Sequence, residues 1–143
     1  MSAFQRLFEV SAELEGLAAR LTSELLTDDA AASIQEGLEA CVQAAEAGDA
    51  SAYAAANLLF HGAIHTSSGN AWLNEQLAQI ETRINPHRSM PYQVRGRLPQ
   101  SVKEHEAIML AMFEGRGEDA ARLMRDQMML QGKRLPLLLQ NVA

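Results

Sequence analysis

Four polar side chains are spaced along the sequence so that they could meet inside a helical protein. Asn57 and His61 are one helical turn apart, so both project from the same face of an otherwise largely apolar helix. His105 and Gln127 occupy comparable inward positions in two later helical segments. Imidazole nitrogens and amide oxygens can bind a divalent metal or hydrogen-bond an organic ligand. These residue types in this arrangement favour a ligand-sensing site over a catalytic one.

Each histidine of this set also has a purely structural interpretation. Taken alone, His61 or His105 is best explained as a buried ring bonded to neighbouring backbone or to Tyr53. Both rings are predicted to lie on inward helix faces together with Asn57 and Gln127, and this combination favours a binding site. Tyr53 is then a further candidate contact. Two versions of that site stay open. In one the side chains hold a metal, and in the other they hydrogen-bond an organic ligand directly.

Three more residues are candidate contacts of the ligand. His65 lies one turn beyond His61 and could serve as an additional ligand, although a surface position is favoured for it and for His87. Arg83 and Arg88 lie near the end of the predicted fourth helix. Either arginine could bind a carboxylate through two parallel hydrogen bonds, a geometry that Lys cannot copy.

Apolar residues recur every three or four positions along six segments, the pattern of amphipathic helices. Trp72 and Leu73 belong to the apolar stripe of the fourth. Gly132 and Pro136 are expected to weaken the last turns of the sixth. The predicted helices run from Phe4 to Leu26, from Thr27 or Asp28 to Gly48, from Tyr53 to Ser67, from Asn70 to about Asn85, from Pro99 to the turn at 114–117, and from Glu118 onward.

No segment alternates with a period of two residues, and the connections between the predicted helices are short. We therefore expect an all-α antiparallel bundle of six helices, or seven if one is kinked, with a central ligand cavity. A chain of 143 residues is long enough to bury one core, so residues 1–143 are predicted to form a single domain.

Composition narrows the class of protein. No apolar run approaches about 20 residues and no signal peptide opens the chain, which predicts neither membrane insertion nor secretion. The single cysteine, Cys41, cannot pair within the chain and suits a reducing cytoplasm. Residues 1–82 carry two arginines against twelve acids, which argues against nucleic-acid binding by this chain itself.

Basic residues concentrate in the second half of the chain. A solvated face that balances the acidic helices is the favoured interpretation, and a positively charged approach for an anionic metabolite is the alternative. The cluster consists of Arg83, Arg88, Arg95, Arg97 and Lys103.

Several short motifs, in their order and spacing, resemble one known family over nearly the whole chain. They are Leu7-Phe8-Glu9-Val10, the Leu-Glu-Gly-Leu-Ala-Ala-Arg-Leu run at 14–21, Phe60-His61 followed by Ser68-Gly69-Asn70, and Glu104-His105-Glu106-Ala107-Ile108. This series resembles the FCD domain. That domain is the C-terminal effector-binding domain of bacterial GntR-type transcription regulators of the FadR/VanR subfamily.

The resemblance implies a helical bundle that binds a small effector, commonly a carboxylate and often with a divalent metal, in a central cavity. In many members an Asp and a His one turn apart, a second His and a third His 22 residues later hold the metal. Those positions fall on Asn57, His61, His105 and Gln127 here. The two amides carry no charge, so zinc, nickel or manganese would be held more weakly unless the effector's carboxylate completes the shell.

The resemblance also implies a homodimer and a winged helix-turn-helix domain ahead of the effector domain. Met1 stands a few residues before the first predicted helix. We therefore expect a fragment or a stand-alone sensor that reaches DNA only through a domain that this chain lacks. In such a sensor, ligand binding would shift helix packing, provided that the ligand binds one arrangement better than the other.

Two other functions are less favoured. One is a small metal-dependent hydrolase or lyase using His61, His105 and His65. The sequence shows no nucleophilic Ser or Cys in a strained turn, and Glu104 and Glu106 flank His105 without the His-Glu-x-x-His spacing that places a base beside a metal. The other is a structural dimerisation bundle whose polar core only provides specificity.

Overall fold

The computed structural model describes residues 3–140, apart from the side chains of 136, 139 and 140. The predicted domain's outermost residues, 1–2 and 141–143, lie outside this range. Over the described residues the chain forms six α-helices and two short 3-10 turns, Asn85–His87 and Met90–Gln93. The all-α prediction is confirmed. The helices are α1 (Ala3–Glu24), α2 (Asp28–Glu46), α3 (Ala50–Ser67), α4 (Ala71–Ile84), α5 (Arg97–Phe113) and α6 (Gly117–Gln140).

Side-chain caps set where three of the helices begin. Thr27 accepts a hydrogen bond from the Ala30 N–H at 3.1 Å, and Asn70 caps α4 in the same way. Asp49 accepts from the Ala52 N–H at 3.0 Å, so α3 begins at Ala50, three residues before its predicted start. Each such cap is worth about 1 kcal/mol. The cap at Asp49 fixes the first turn of the helix that carries the candidate histidines.

Two glycines allow helices to approach more closely than a side chain would permit. A Cβ on Gly37 would lie 2.7 Å from the Phe60 Cα, where α2 crosses α3. A Cβ on Gly132 would lie 2.6 Å from the Phe8 Cβ, where α6 packs along α1. This close packing explains why α6 continues to Gln140 across a glycine that was predicted to weaken it. The first contact joins α2 to α3, and the second joins α6 to α1.

Two details of the predicted core and loops were wrong. Trp72, assigned to the apolar stripe of the fourth helix, is 79% exposed, whereas Leu73 beside it is buried. The stripe therefore begins one position later. Between α4 and α5 a 3-10 turn has Pro91 and Tyr92 buried, and α5 begins at Arg97, two residues before its predicted start. Tyr92 packs edge-on against Tyr53, with ring centroids 4.7 Å apart, and this contact ties the turn to α3.

Candidate functional site

A cavity of about 80 Å³ lies between α1, α3, the end of α4 with the turns that follow it, and α6. A single water requires only about 10–15 Å³ by the same measure, so the cavity has room for several waters or a small organic molecule. Three of the four predicted site residues line it. They are Asn57 and His61 from α3 and Gln127 from α6. Apolar walls are provided by Phe8, Ala54, Leu58, Ile84, Met128 and Leu135.

His105, the fourth predicted residue, lies behind this lining. Its ring is fully buried, with its centroid 5.4 Å from that of His61 and 4.4 Å from that of Phe60. The Tyr53 hydroxyl lies 3.1 Å from His105 Nδ1 and donates to the Ser101 hydroxyl at 2.6 Å. Within the described part of the chain, His105 Nε2 has no hydrogen-bond partner. Tyr53 therefore orients the His105 ring and is not itself a lining residue.

Burial also decides the charge of His105. Desolvation lowers the pKa of its imidazole well below the ordinary value, and the nearby charges of His61 and Arg97 lower it further. The ring is therefore neutral at neutral pH. A neutral imidazole can accept a hydrogen bond or bind a metal through one nitrogen.

Gln127 is held by a buried ion pair. Its Nε2 donates to Glu104 Oε1 at 2.9 Å, and Arg97 donates to both oxygens of the same carboxylate at 2.9 and 3.0 Å. Gln127 Oε1 is buried without a partner among the described residues. Arg97 is 1% exposed, so its predicted place in a solvated basic face was wrong. The pair fixes the direction of the Gln127 amide, because exchanging its nitrogen and oxygen would set two oxygens against each other.

A buried carboxylate that sequence analysis missed lies at the centre of the site. Glu15 on α1 is 3% exposed and lines the cavity. His61 Nδ1 lies 2.9 Å from its Oε2, and His65 Nε2 lies 2.5 Å from its Oε1. The signal was present in the sequence, because Glu15 is two turns after Phe8 and so shares the inward face of α1.

The three groups of this cluster determine one another's charge. Burial raises the pKa of the Glu15 carboxyl, but the charges of His65 and His61 and their hydrogen bonds outweigh burial and hold it well below the ordinary value. Burial lowers the pKa of His65, but Glu15, with a smaller effect of Glu81, raises it overall. Glu15 is therefore ionised and His65 tends to be protonated. The favoured surface position of His65 was wrong, since it is 7% exposed.

The remaining candidates differ in their distance from the cavity. Arg88 is exposed but lines the cavity, and His87, with its ring edge-on to Phe4, also lines it. Arg83 is exposed and is not part of the lining. Of the two arginines, only Arg88 is placed to contact a ligand.

The residues at the four positions implied by the resemblance fit a divalent metal poorly. Asn57, His61, His105 and Gln127 offer two amides and two imidazoles and so no negative charge. The negative charge nearby belongs to Glu15, which is bonded to His61. Glu15, His61 and His65 each offer one ligand atom, and these atoms lie within 4.8 Å of one another. Among the described residues, this second set is the one that combines a carboxylate with two imidazoles.

Comparison with known proteins gives two results that agree with this architecture. The sequence model of the family described as the FCD domain matches residues 6–128. The solved structure of McbR/YncC from E. coli, a GntR-family regulator, superposes with a TM-score of 0.80 at 27% sequence identity. The match covers 94% of this chain and 67% of that one. No curated protein matches the sequence. Among the described residues, no helix is long and apolar enough to cross a membrane.

Proposed function

Because the chain belongs to the FCD domain family, we propose that it is the sensor of a GntR-type transcription regulator and that its effector is a small carboxylate. The observation that carries the proposal is the meeting of Asn57, His61 and Gln127, from two helices, on one interior cavity of this fold. A mostly apolar cavity with a few polar groups directed at one point is the usual form of a small-molecule site.

The charges around the cavity favour an anionic ligand only if a cation accompanies it. Arg88 can bind a carboxylate at the rim, and Asn57 can donate from its amide. Glu15 and Glu81 also line the cavity, and each would repel an anion. The imidazolium of His65 offsets Glu15, and a divalent metal would offset it more strongly. We propose that His61, with His105 behind it, provides the polar wall against which the effector is held.

Ligand binding would reach the rest of the domain through α1. This helix contributes Phe8, Ser11 and Glu15 to the cavity wall and also packs along α6. A ligand that binds better when α1 and α3 are drawn together would shift the equilibrium toward that arrangement. We propose that a homodimer transmits this shift to the winged helix-turn-helix domains of the complete regulator, which would contact the DNA.

Thermal unfolding with a panel of small mono- and dicarboxylates, each with and without added zinc, tests the sensor function. A ligand at 100 times its Kd stabilises the folded state by about 2.7 kcal/mol. For a domain of this size, that corresponds to a rise in Tm of roughly 5–10 °C. His61→Ala and His105→Ala should fold and lose this rise, because each removes a ring from the proposed wall.

The uncharged amides of the same acids are the matched ligands, and they should produce no rise. If no carboxylate raises the Tm of the wild-type protein, or if both variants respond as the wild type does, the proposal is wrong. Consumption of a stabilising ligand would indicate an enzyme instead.

A further inference from the structure

We propose that this domain binds a first-row divalent transition metal ion through Glu15, His61 and His65, and not through the four positions that the family resemblance implies. The two sets share only His61. The inference extends the proposed sensor by naming its metal-binding residues. It can fail independently, because the metal alone is the probe.

The fold places one ligand atom of each of the three residues within 4.8 Å of the other two. His61 and His65 are four residues apart on α3 and project from one face, the spacing by which a helix offers two imidazoles to one ion. Glu15 reaches the same point from α1. Its two oxygens lie 2.9 Å from His61 Nδ1 and 2.5 Å from His65 Nε2. Ligand atoms around zinc are about 3–3.5 Å apart, given bonds of about 2.0–2.2 Å, so these pairs need to open by less than about 1 Å.

The chemistry of the set also suits such an ion. Two imidazoles and one carboxylate, with positions left open, is a combination that recurs in zinc and non-haem iron sites. All three side chains are less than a tenth exposed, at 3%, 5% and 7%. A buried carboxylate needs a compensating partner, and here two imidazole nitrogens contact it directly. A divalent ion would supply that positive charge and bind the same nitrogen and oxygen atoms.

A second carboxylate lies near one of the ligands. His65 Nδ1 is 3.7 Å from Glu81 Oε1, which is an ion-pair distance and too long for a hydrogen bond. When His65 Nε2 binds a metal, its Nδ1 carries the proton and could donate to Glu81 once the two atoms approach by about 0.5 Å. A carboxylate in that position holds the ring and increases its basicity, as in many histidine-ligated metal sites. Glu81 gains a role that its half-buried place on the cavity wall does not otherwise explain.

Charge as well as ligand type disfavours a metal at the four positions that the resemblance implies, Asn57, His61, His105 and Gln127. His105 feels the positive charge of buried Arg97, which acts to lower its pKa. A divalent ion on His105 would be repelled by the same guanidinium. The carboxylate that could balance an ion there, Glu104, is already bonded to Arg97 and Gln127.

The location of the metal would explain how an acidic wall accepts an anion. Glu15 and His61 line the cavity, so an ion bound to them would lie at the cavity wall. An effector carboxylate could occupy one of its open coordination positions. The carboxylate would then meet a positive ion at the point where Glu15 alone would repel it.

Titration of the chelator-treated protein with zinc tests the assignment, with calorimetry giving stoichiometry and affinity. We expect one zinc per chain. His65→Ala should lower the affinity by more than about 100-fold, the upper limit for losing a residue that only supports a ligand. Glu15→Gln should lower it to a similar extent. His87→Ala is the matched control, since it removes another imidazole from the same cavity wall, and it should leave zinc binding unchanged.

His105→Ala distinguishes the two sets. It should retain zinc if the ion is bound by Glu15, His61 and His65. In the alternative arrangement His65 would not be a ligand, and Glu15 would only support His61. Zinc binding that survives His65→Ala and is lost in His105→Ala overturns the proposal, as does a wild-type protein that binds no zinc.

A measurement on the wild-type protein does not depend on how the variants fold. Zinc should shift the imidazole nitrogen resonances of His61 Nδ1 and His65 Nε2 by the large amounts that direct coordination produces, and should leave those of His105 nearly unchanged. Direct coordination shifts on His105 would contradict the assignment. If zinc does not bind and carboxylates still raise the Tm, this inference fails while the proposed function stands.

Discussion

Glu104→Gln is the substitution whose effect on the free energy of unfolding follows most directly from the structure. Arg97 is 1% exposed, and its guanidinium donates two hydrogen bonds, at 2.9 and 3.0 Å, to the Glu104 carboxylate. Arginine cannot lose its proton to escape burial. The variant therefore leaves a buried charge without its counter-ion and sets the new amide nitrogen against a guanidinium nitrogen.

Removing one partner of a buried pair costs about 3–5 kcal/mol. The side chain of Glu104 is 24% exposed, so water can reach part of the guanidinium, and we expect the lower figure of about 3 kcal/mol. Domains of this size have a free energy of unfolding of about 5–15 kcal/mol, so the variant should still fold. Urea unfolding followed by circular dichroism measures the difference.

Two controls show whether the loss comes from the stranded charge. Glu106→Gln makes the same change on the same helix at an exposed position and should alter stability by less than about 0.5 kcal/mol. Arg97→Met combined with Glu104→Leu removes both charges and should recover most of the loss. If Glu104→Gln lowers the free energy of unfolding by less than about 1 kcal/mol, the pair behaves like a surface ion pair and the stranded-charge explanation is refuted.

Two further predictions concern packing and pH. Gly132→Ala should destabilise the fold by about 1–3 kcal/mol, because its Cβ would overlap Phe8. Gly62 has open space around it, so Gly62→Ala should stabilise the fold by about 0.5–1 kcal/mol. Equal effects of the two substitutions in urea unfolding would contradict the close approach of α1 and α6. The lowered pKa of Glu15 adds stability above its ordinary value of 4.5 that is lost as pH falls toward the folded pKa. The raised pKa of His65 adds stability below its ordinary value of 6.5 that is lost as pH rises through the folded pKa. In chelator, the free energy of unfolding of the wild type should thus fall as pH rises above about 6.5, and an equal fall in Glu15→Gln would show that the pair is not responsible.

The helices were predictable because their signals are local. Caps at Thr27 and Asn70 and the stop near Pro86 follow from backbone chemistry within a few residues. Trp72 was misassigned because a periodic stripe identifies the inward face only to within one position at its end, where the helix begins.

The partners within the site were harder to predict than its location. The helical period placed Asn57, His61 and Gln127 on inward faces, and the structure brings these three to one cavity. The period could not show which helix would face them. Glu15 is 46 residues from His61 and 50 from His65 along the chain, and no local pattern joins α1 to α3. His65 was expected at the surface because its burial depends on that unseen partner.

The position of the negative charge follows from the same contact between α1 and α3. The resemblance implies an Asp where Asn57 stands, and an amide there cannot balance an ion. Glu15 supplies a carboxylate to the other edge of the His61 ring, bonded to Nδ1 at 2.9 Å. A ring that binds through Nδ1 directs an ion toward α1 and His65, whereas binding through Nε2 would direct it elsewhere. Moving the charge from the helix of His61 to α1 therefore changes which helices a bound metal would join, from α3, α5 and α6 to α1 and α3.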